Sequence, residues 1–317
     1  MFGSSVELSF LGKNNTFPII SSLSIIDHNR WFQDYKEEID KLKLKYGGIL
    51  FRNFKLDSVS EFNKLINSLE KKLLDYQFRS TPRKRLGGKI FTATEYPSEH
   101  VIPLHNENSY TNSWPNNIYF FCVVAPTKGG ETSIADSRNV YGRIDQNIMK
   151  KFSESGVMYT RSFIPGIDLS WQEVFQTEEK KEVDKYCEDN NIEHKWLNNK
   201  NCVLKTKQIC QAIHKHPVTN EIVWFNQAHL FHISSLAKEN IEFLLSEVGK
   251  DNLPRNAYYG NGEEIEEQAL EHVRECYDKE KIKFRWQEGD LMVLDNILFA
   301  HGREPFAGPR KIVVGMS

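Results

Sequence analysis

Apolar residues spaced three or four apart predict two helices early in the chain. Residues 31–46 carry the first set, and Gly47-Gly48 marks its expected end: Phe32, Tyr35, Ile39, Leu42 and Tyr46. A second set follows Ser58 and Ser60, either of which can cap the helix: Phe62, Leu65, Ile66, Leu69 and Leu73. Residues 49–51 between the two sets predict a short strand.

From about residue 89 the pattern changes to short β-rich runs separated by Gly, Pro and Asn. The predicted strands span 89–93, 102–107, 118–125, 131–135, 222–225, 282–286, 291–294, 298–301 and 311–315. Residues 137–216 are irregular and helical in pattern, with Ser170 and Thr177 as expected caps and a solvated helix over 178–189. Two more helices fit 235–248 and 263–277.

These elements predict a mainly β protein with helical additions, organised as a single domain over residues 1–317. Residues 1–88 would form a helical and strand support, and residues 137–216 a helical insertion. Strands on both sides of the insertion indicate one β-barrel with long-range pairing.

The composition is that of a soluble globular protein: 317 residues, 39% hydrophobic, with 41 basic and 43 acidic side chains. A formal charge of −2 without a long basic run argues against nucleic acid as a partner. The longest apolar stretch, residues 118–125, is too short to span a membrane. The first residues lack the pattern of a secretory signal, so we expect a cytoplasmic protein.

The cysteines favour neither a disulfide framework nor a zinc ribbon. They are odd in number, widely spaced and without a Cys-x-x-Cys pair: Cys122, Cys187, Cys202, Cys210 and Cys276. We expect them to be small buried side chains.

His105 and Glu107 stand two apart on a predicted strand, so both side chains should face one way. A buried carboxylate is costly unless it is paired or bound to a metal, although an exposed strand face would also explain the pair. Far along the chain, His301 closes another apolar strand. Two histidines and one carboxylate form the facial arrangement associated with non-haem Fe(II) oxygenases.

Two further features point to an anion site. Arg310 precedes the last predicted strand, and its planar guanidinium can bind a carboxylate with two hydrogen bonds. Gly129-Gly130 forms a predicted turn before Thr132, whose hydroxyl can reinforce that contact. Taken singly, they fit a surface arginine and an ordinary hairpin turn equally well.

In this order the motifs resemble the taurine dioxygenase-like superfamily of Fe(II)- and 2-oxoglutarate-dependent oxygenases, and most of all its clavaminate synthase and syringomycin-biosynthesis hydroxylase branch. The matching segments lie between about residues 45 and 317: PLHNENSY (103–110), WP (114–115), GGETSIAD (129–136), WFNQ (224–227), HGREPF (301–306) and GPR (308–310).

The resemblance implies a double-stranded β-helix, or jelly roll, with Fe(II) at one mouth. His105, Glu107 and His301 match the metal ligands, Arg310 the 2-oxoglutarate-binding arginine and Thr132 its supporting hydroxyl. The implied enzyme uses O2 and 2-oxoglutarate to hydroxylate an unactivated C–H bond, and it releases succinate and CO2. Its expected substrate is an amino acid or amino-acid-derived small molecule of specialised metabolism, free or tethered to an acyl or peptidyl carrier protein.

Several alternatives stay open. The same iron centre can catalyse desaturation, epoxidation or ring closure, and a jelly roll can also be a non-catalytic binding protein or use the three ligands for zinc hydrolysis. A substrate carboxylate could be bound by Arg83 or Arg303. Structural or surface roles are favoured for His214 and His216 over a metal-binding pair, whereas His229 and His232 fit packing and the substrate entrance equally.

Overall fold

The computed structural model describes residues 2–12, 15–70, 72–75, 78, 83–94, 96–197 and 203–317. Its strands in the first half of the chain are β1 (Val6–Leu11), β2 (Phe17–Ser22), β3 (Gly48–Arg52), β4 (Arg85–Gly87), β5 (Ile90–Thr92), β6 (Ile102–His105), β7 (Asn117–Val124), β8 (Lys128–Gly129), β9 (Thr132–Asp136) and β10 (Val157–Phe163). Those in the second half are β11 (Glu193–Trp196), β12 (Leu204–Cys210), β13 (Ile213–Lys215), β14 (Ile222–Trp224), β15 (Arg255–Tyr259), β16 (Ile282–Phe284), β17 (Leu291–Asp295), β18 (Phe299–Arg303), β19 (Phe306–Ala307) and β20 (Lys311–Met316).

The α-helices are α1 (His28–Asp34), α2 (Lys36–Tyr46), α3 (Val59–Leu69), α4 (Ser137–Arg143), α5 (Gln146–Ser155), α6 (Trp171–Phe175), α7 (Lys180–Asp189), α8 (Ala228–Phe231), α9 (Lys238–Val248) and α10 (Glu267–Glu280). Two short 3₁₀ turns cover Ile233–Ser235 and Lys250–Asn252. The described residues contain no helix that is both long and apolar enough to cross a membrane.

Two facing sheets form the centre of the molecule. The larger has eight strands in the order β1-β2-β3-β17-β7-β20-β5-β4, and the smaller has the order β16-β9-β18-β6. In the described part of the chain no ladder joins the edges of these two sheets, so the predicted β-barrel is a sandwich of two sheets that does not close. The arrangement confirms the jelly-roll prediction.

Strand β7 is apolar from Ile118 to Val124 because both of its faces are covered. Ile118, Phe120 and Cys122 point into the core between the sheets. Tyr119 and Phe121 point to the opposite side, against the core formed with α1, α2 and α3. A strand that is covered on both faces loses the polar alternation of a surface strand.

The N-terminal helices differ in detail from the prediction. The expected helix over 31–46 is interrupted at Tyr35, whose backbone angles (φ −109°, ψ 17°) separate α1 from α2. Ser58 caps α3 by accepting a hydrogen bond from the Glu61 N–H. That helix ends at Leu69, so Leu73 lies beyond it, although it is buried in the same core.

The segment 137–216 is only partly helical. It includes α4 to α7, and Ser170 caps α6 as expected, but it also contributes β10, β11 and β12 to a sheet of order β11-β12-β10-β15. Strand β12 escaped prediction because Thr206 and Gln208 occupy buried positions of it, where the pattern calls for apolar residues. The division into a support, a barrel and an insertion within one domain stays a prediction.

Among the described cysteines, Cys122, Cys187, Cys210 and Cys276 are free and buried, as expected. Burial raises the pKa of the Cys122 thiol to about 12, which makes this thiol unreactive. Cys202 lies outside the described residues.

Candidate metal centre

Two of the predicted ligands meet because of strand register. His105, the last residue of β6, is the direct antiparallel partner of His301 in β18. Directly paired residues point to the same face of a sheet, and the two imidazole rings lie 4.6 Å apart between centroids. The smaller sheet thus brings together histidines from distant parts of the chain.

Glu107 lies outside β6, which ends at His105, so the predicted strand over 102–107 is two residues too long. The carboxylate nevertheless reaches the histidines: one ligand atom from each of His105, Glu107 and His301 lies within 4.8 Å of the others. Among the described residues, these three are the one cluster of His, Cys, Asp or Glu side chains that could hold a metal ion.

A hydrogen bond orients one of the two imidazole rings for metal binding. His105 Nδ1 lies 2.8 Å from the Pro103 carbonyl oxygen, to which it donates, and this leaves Nε2 as the ligand atom. His301 Nε2 lies 3.7 Å from Glu107 Oε2, while its buried Nδ1 has no partner among the described residues. Two imidazoles and one carboxylate fit Fe(II) well and leave adjacent coordination positions open.

Arg83 gives this acidic ligand a counter-charge. Its Nη2 donates to Glu107 Oε2 at 2.7 Å, and both side chains are buried. Burial alone would raise the carboxyl pKa, but the Arg83 guanidinium and then the nearby His301 hold the pKa of Glu107 well below its usual range. Burial, and then the nearby His301, lower the pKa of His105 to about 4. Glu107 is therefore an ionised carboxylate and His105 a neutral imidazole at neutral pH, as metal binding requires.

A small cavity opens beside the two histidine ligands. His105, His301, Thr132 and Arg310 all line it. Burial, and then the charge of Arg303, lower the pKa of Arg310 to about 10, so this guanidinium is still a cation at neutral pH. The cavity thus combines the metal ligands with a buried positive charge.

Local structure holds the two anion-binding candidates in place. Arg310 Nε donates to the Gly130 carbonyl at 3.1 Å, and the Trp286 indole N–H donates to Thr132 Oγ1 at 3.0 Å. Gly130 has a φ of +70°, and a Cβ there would lie 3.1 Å from Arg310 Cδ and 2.7 Å from Pro126 Cγ. Glycine is therefore needed both for the turn and for the passage of the Arg310 side chain.

The two arginines considered for a substrate carboxylate have different contacts. Arg303 lines the cavity, and its terminal nitrogens donate to the carbonyls of Tyr96, Pro97 and His100, so the guanidinium supports the backbone there. Arg83 lines the cavity and contacts Glu107. The expected solvated loop around residues 82–89 is in part the edge strand β4, and residue 82 is not described.

Four further histidines that the sequence singled out are held by ring packing and hydrogen bonds. His216 is buried and bonds Asp295 Oδ2 at 3.0 Å, and His214 packs against Trp114. His229 bonds the Leu104 carbonyl at 3.0 Å, and His232 accepts a hydrogen bond from the Ser234 N–H. None of these four lines the cavity beside the metal ligands, which favours the packing interpretation of His229 and His232.

Sequence reasoning missed the amides behind Glu107. Asn106, Asn296 and Gln227 are buried and bonded to one another or to the ligand segment. The available signal was polar residues at the ends of apolar strands, but nothing in the spacing showed that they meet.

The chain matches the model of the family Taurine catabolism dioxygenase TauD, TfdA over residues 22–316. The dapdiamide synthesis protein DdaC of Enterobacter agglomerans is 43% identical over 278 residues, or 88% of this chain and 84% of that protein. A clavaminate synthase-like protein of Arabidopsis thaliana is 26% identical over 307 residues, or 94% of this chain and 89% of that protein.

Solved structures share the fold. PvcB of Pseudomonas aeruginosa, an Fe, alpha-ketoglutarate dependent oxygenase from an isonitrile synthetic pathway, gives a TM-score of 0.57 at 13% identity and covers 100% of this chain and 92% of its own. AAD-2 in complex with Mn(II) and N-oxalylglycine gives 0.52 at 14% identity, covering 98% of this chain and 96% of its own.

The class of protein follows from fold, site and family together: this is an Fe(II)- and 2-oxoglutarate-dependent dioxygenase. The chain belongs to the TauD/TfdA family, as the sequence motifs predicted.

Proposed function

We propose that this dioxygenase oxidises an unactivated C–H bond of an amino acid or amino-acid-derived small molecule in specialised metabolism. The observation that carries the proposal is the triad of His105, Glu107 and His301, which opens onto a cavity that also holds Arg310 and Thr132. Hydroxylation is the leading reaction; desaturation, epoxidation or ring closure are alternatives for the same centre.

In this proposal His105, Glu107 and His301 hold Fe(II). With 2-oxoglutarate and O2, the bound iron supplies the oxidising chemistry, in which one oxygen atom enters the substrate and one enters succinate, with release of CO2. The three side chains fix the ion on one side and leave the cavity side for the reactants. Arg83 keeps Glu107 ionised, and the Pro103 carbonyl keeps His105 in the tautomer that binds through Nε2.

Arg310 is the proposed partner of the distal carboxylate of 2-oxoglutarate, and the Thr132 hydroxyl is its second contact. A guanidinium in a partly dry cavity binds a carboxylate more strongly than one in water, because less solvent screens the pair. The Gly130 carbonyl fixes the Nε side of Arg310, and the Trp286 indole occupies one lone pair of Thr132. Both side chains are thereby oriented before the anion arrives.

The substrate class rests on relatives. The dapdiamide synthesis protein DdaC, at 43% identity, supports a role in making an amino-acid-derived product. The finer proposals are that the substrate is delivered either free or on an acyl or peptidyl carrier protein, and that the enzyme works in the cytoplasm, where free thiols such as Cys122 and Cys187 stay reduced.

An anaerobic titration tests the proposal. Fe(II) and then 2-oxoglutarate are added to the metal-free protein, and the visible metal-to-ligand charge-transfer band is recorded for wild type, Glu107→Ala and Arg310→Ala. Arg30→Ala is the control, because its side chain is 81% exposed on α1. We expect a band in wild type and control, and a weak or absent band at the same concentrations in the other two.

The absence of a band in folded, iron-loaded wild type would contradict the proposal. Activity supported by zinc instead of Fe(II) would point to a hydrolase, and binding of 2-oxoglutarate without O2 consumption, across a panel of amino-acid substrates, would point to a non-catalytic binding protein.

A further inference from the structure

One buried amide side chain holds the segment that carries the acidic iron ligand. Asn296 Oδ1 accepts the Glu107 backbone N–H at 2.7 Å, and its Nδ2 donates to the Glu107 carbonyl at 3.0 Å. Both backbone polar groups of Glu107 are thus bonded to the same side chain. Asn296 is fully buried, so water does not compete for these bonds.

The same residue ties two further segments together. Its Nδ2 also donates to the Pro115 carbonyl at 2.8 Å, and its backbone carbonyl accepts from Asn106 Nδ2 at 2.7 Å. Asn296 and the pair Asn106-Glu107 therefore exchange bonds in both directions. These contacts replace the ladder bonds that Glu107 lacks because it lies beyond the end of β6.

Asn296 also stands in the turn that leads to His301. The neighbouring Asp295 closes this turn, since its Oδ1 accepts the backbone N–H groups of Ile297 and Leu298 at 2.9 and 3.0 Å. Strand β18 begins immediately afterwards and carries His301. The Asn296 side chain thus links the Glu107 segment to the segment that carries His301.

We propose that Asn296 is a positioning residue of the iron centre, which sets the Glu107 carboxylate relative to His301. The inference rests on the metal centre of the proposed function and adds a determinant of metal affinity outside the ligands. Metal sites tolerate only small displacements of their ligands, and the loss of groups that orient ligands commonly weakens metal binding about 10- to 100-fold.

The test compares two buried asparagines. Asn226 is also fully buried, and its amide makes comparable backbone bonds, donating to Ala212 O at 2.8 Å and accepting from Ala228 N at 3.0 Å, but it contacts no proposed ligand. Mn(II) is titrated into metal-free wild type, Asn296→Ala and Asn226→Ala without 2-oxoglutarate, and thermal unfolding is followed in parallel.

We expect Asn296→Ala to bind Mn(II) about 10- to 100-fold more weakly, and Asn226→Ala to stay within about 3-fold of wild type even if both unfold at lower temperature. Wild-type affinity in Asn296→Ala, or an equal loss in both variants, would overturn the inference. If Asn296→Ala does not fold, Asn296→Asp carries the test: it keeps the volume and the acceptor for the Glu107 N–H but replaces the donors, and wild-type affinity there would also overturn it.

The result is independent of turnover. A wild-type protein that binds Mn(II) but shows no charge-transfer band with Fe(II) and 2-oxoglutarate would refute the proposed function and leave the role of Asn296 intact. A normal band in wild type together with unchanged metal affinity in both Asn296 variants would support the proposed function and refute the role of Asn296.

Discussion

Arg83 Nη2 lies 2.7 Å from Glu107 Oε2, and both side chains of this ion pair are 4% exposed. The guanidinium therefore occupies one oxygen of a proposed metal ligand, in a place that water barely reaches. Metal binding and this ion pair must share the same carboxylate, which makes the pair a measurable part of the metal-free enzyme's stability.

Arg83→Ala should destabilise the metal-free enzyme. Removing one partner of a buried pair leaves an uncompensated charge, which commonly costs about 3–5 kcal/mol. With Mn(II) bound the ion becomes the partner of Glu107, so the loss should shrink. Urea unfolding with and without Mn(II) measures both values, with Arg285→Ala, whose side chain is 78% exposed, as the control. An equal loss in the two conditions would contradict this account.

The metal-free enzyme should lose stability as the pH falls below neutrality. Burial above all lowers the pKa of His229 to about 3, whereas an unfolded histidine titrates near about 6.5. Between these values the unfolded chain binds a proton that the folded protein does not, so the free energy of unfolding falls with pH by up to about 1.4 kcal/mol per unit for this group. His105, with its pKa lowered to about 4, adds a change of the same sign.

His229→Gln tests that contribution. The free energy of unfolding is measured by denaturant titration in EDTA between about pH 7 and 5. In His229→Gln it should fall less steeply with pH than in wild type, because up to one proton fewer is taken up on unfolding. The exposed His100 provides the control, and His100→Gln should leave the slope unchanged. A slope in His229→Gln as steep as in wild type would show that this residue is not the source.

Gly130→Ala should weaken 2-oxoglutarate binding. The added Cβ would meet Pro126, Phe306 and Arg310 at 2.7–3.1 Å on a backbone with φ +70°, so the Arg310 side chain must shift. We expect a rise of at least about tenfold in the dissociation constant of 2-oxoglutarate, read from the charge-transfer band, because a bidentate contact is lost with a displacement of this size.

Gly142→Ala is the matched control for that substitution. Gly142 lies in α4 with nothing within 4 Å of an added Cβ, so alanine should stabilise the helix by about 0.5–1 kcal/mol without changing 2-oxoglutarate binding. Comparable losses of affinity in both variants would remove the argument for Gly130.

Thr132→Val and Trp286→Phe should be coupled. Thr132→Val leaves the buried Trp286 N–H without its acceptor, at a cost of about 1–3 kcal/mol. In the double variant both polar groups are gone, so stability should recover in part. A double-mutant cycle by urea unfolding measures the coupling, and strictly additive losses would mean that the indole finds another partner.

The jelly roll could be predicted because short motifs occur in a fixed order, and the same motifs contain the five proposed site residues, which the structure places close together. His105 and Glu107 are two residues apart in sequence, and the pairing of His105 with His301 follows once β6 and β18 are neighbours. Asn296 had no comparable signal. Its partners in the Glu107 backbone are 189 residues away, and backbone atoms leave no trace in the choice of side chain.

The missed elements have similar physical causes. Strand β1 is mostly exposed and so lacks a clear apolar alternation, and β2 contains Pro18, which disfavours a strand assignment. The break at Tyr35 is invisible to periodicity, because apolar residues on both α1 and α2 face the same core. Tertiary packing, rather than local preference, decides each of these cases.

The pairing of His105 with His301 also orders events in the life of the chain. During synthesis from the N-terminus, His105 and Glu107 emerge long before β18, so a nascent or truncated polypeptide offers two ligands and cannot complete the centre. The three proposed ligands therefore come together only after His301 has been made and β18 has paired with β6.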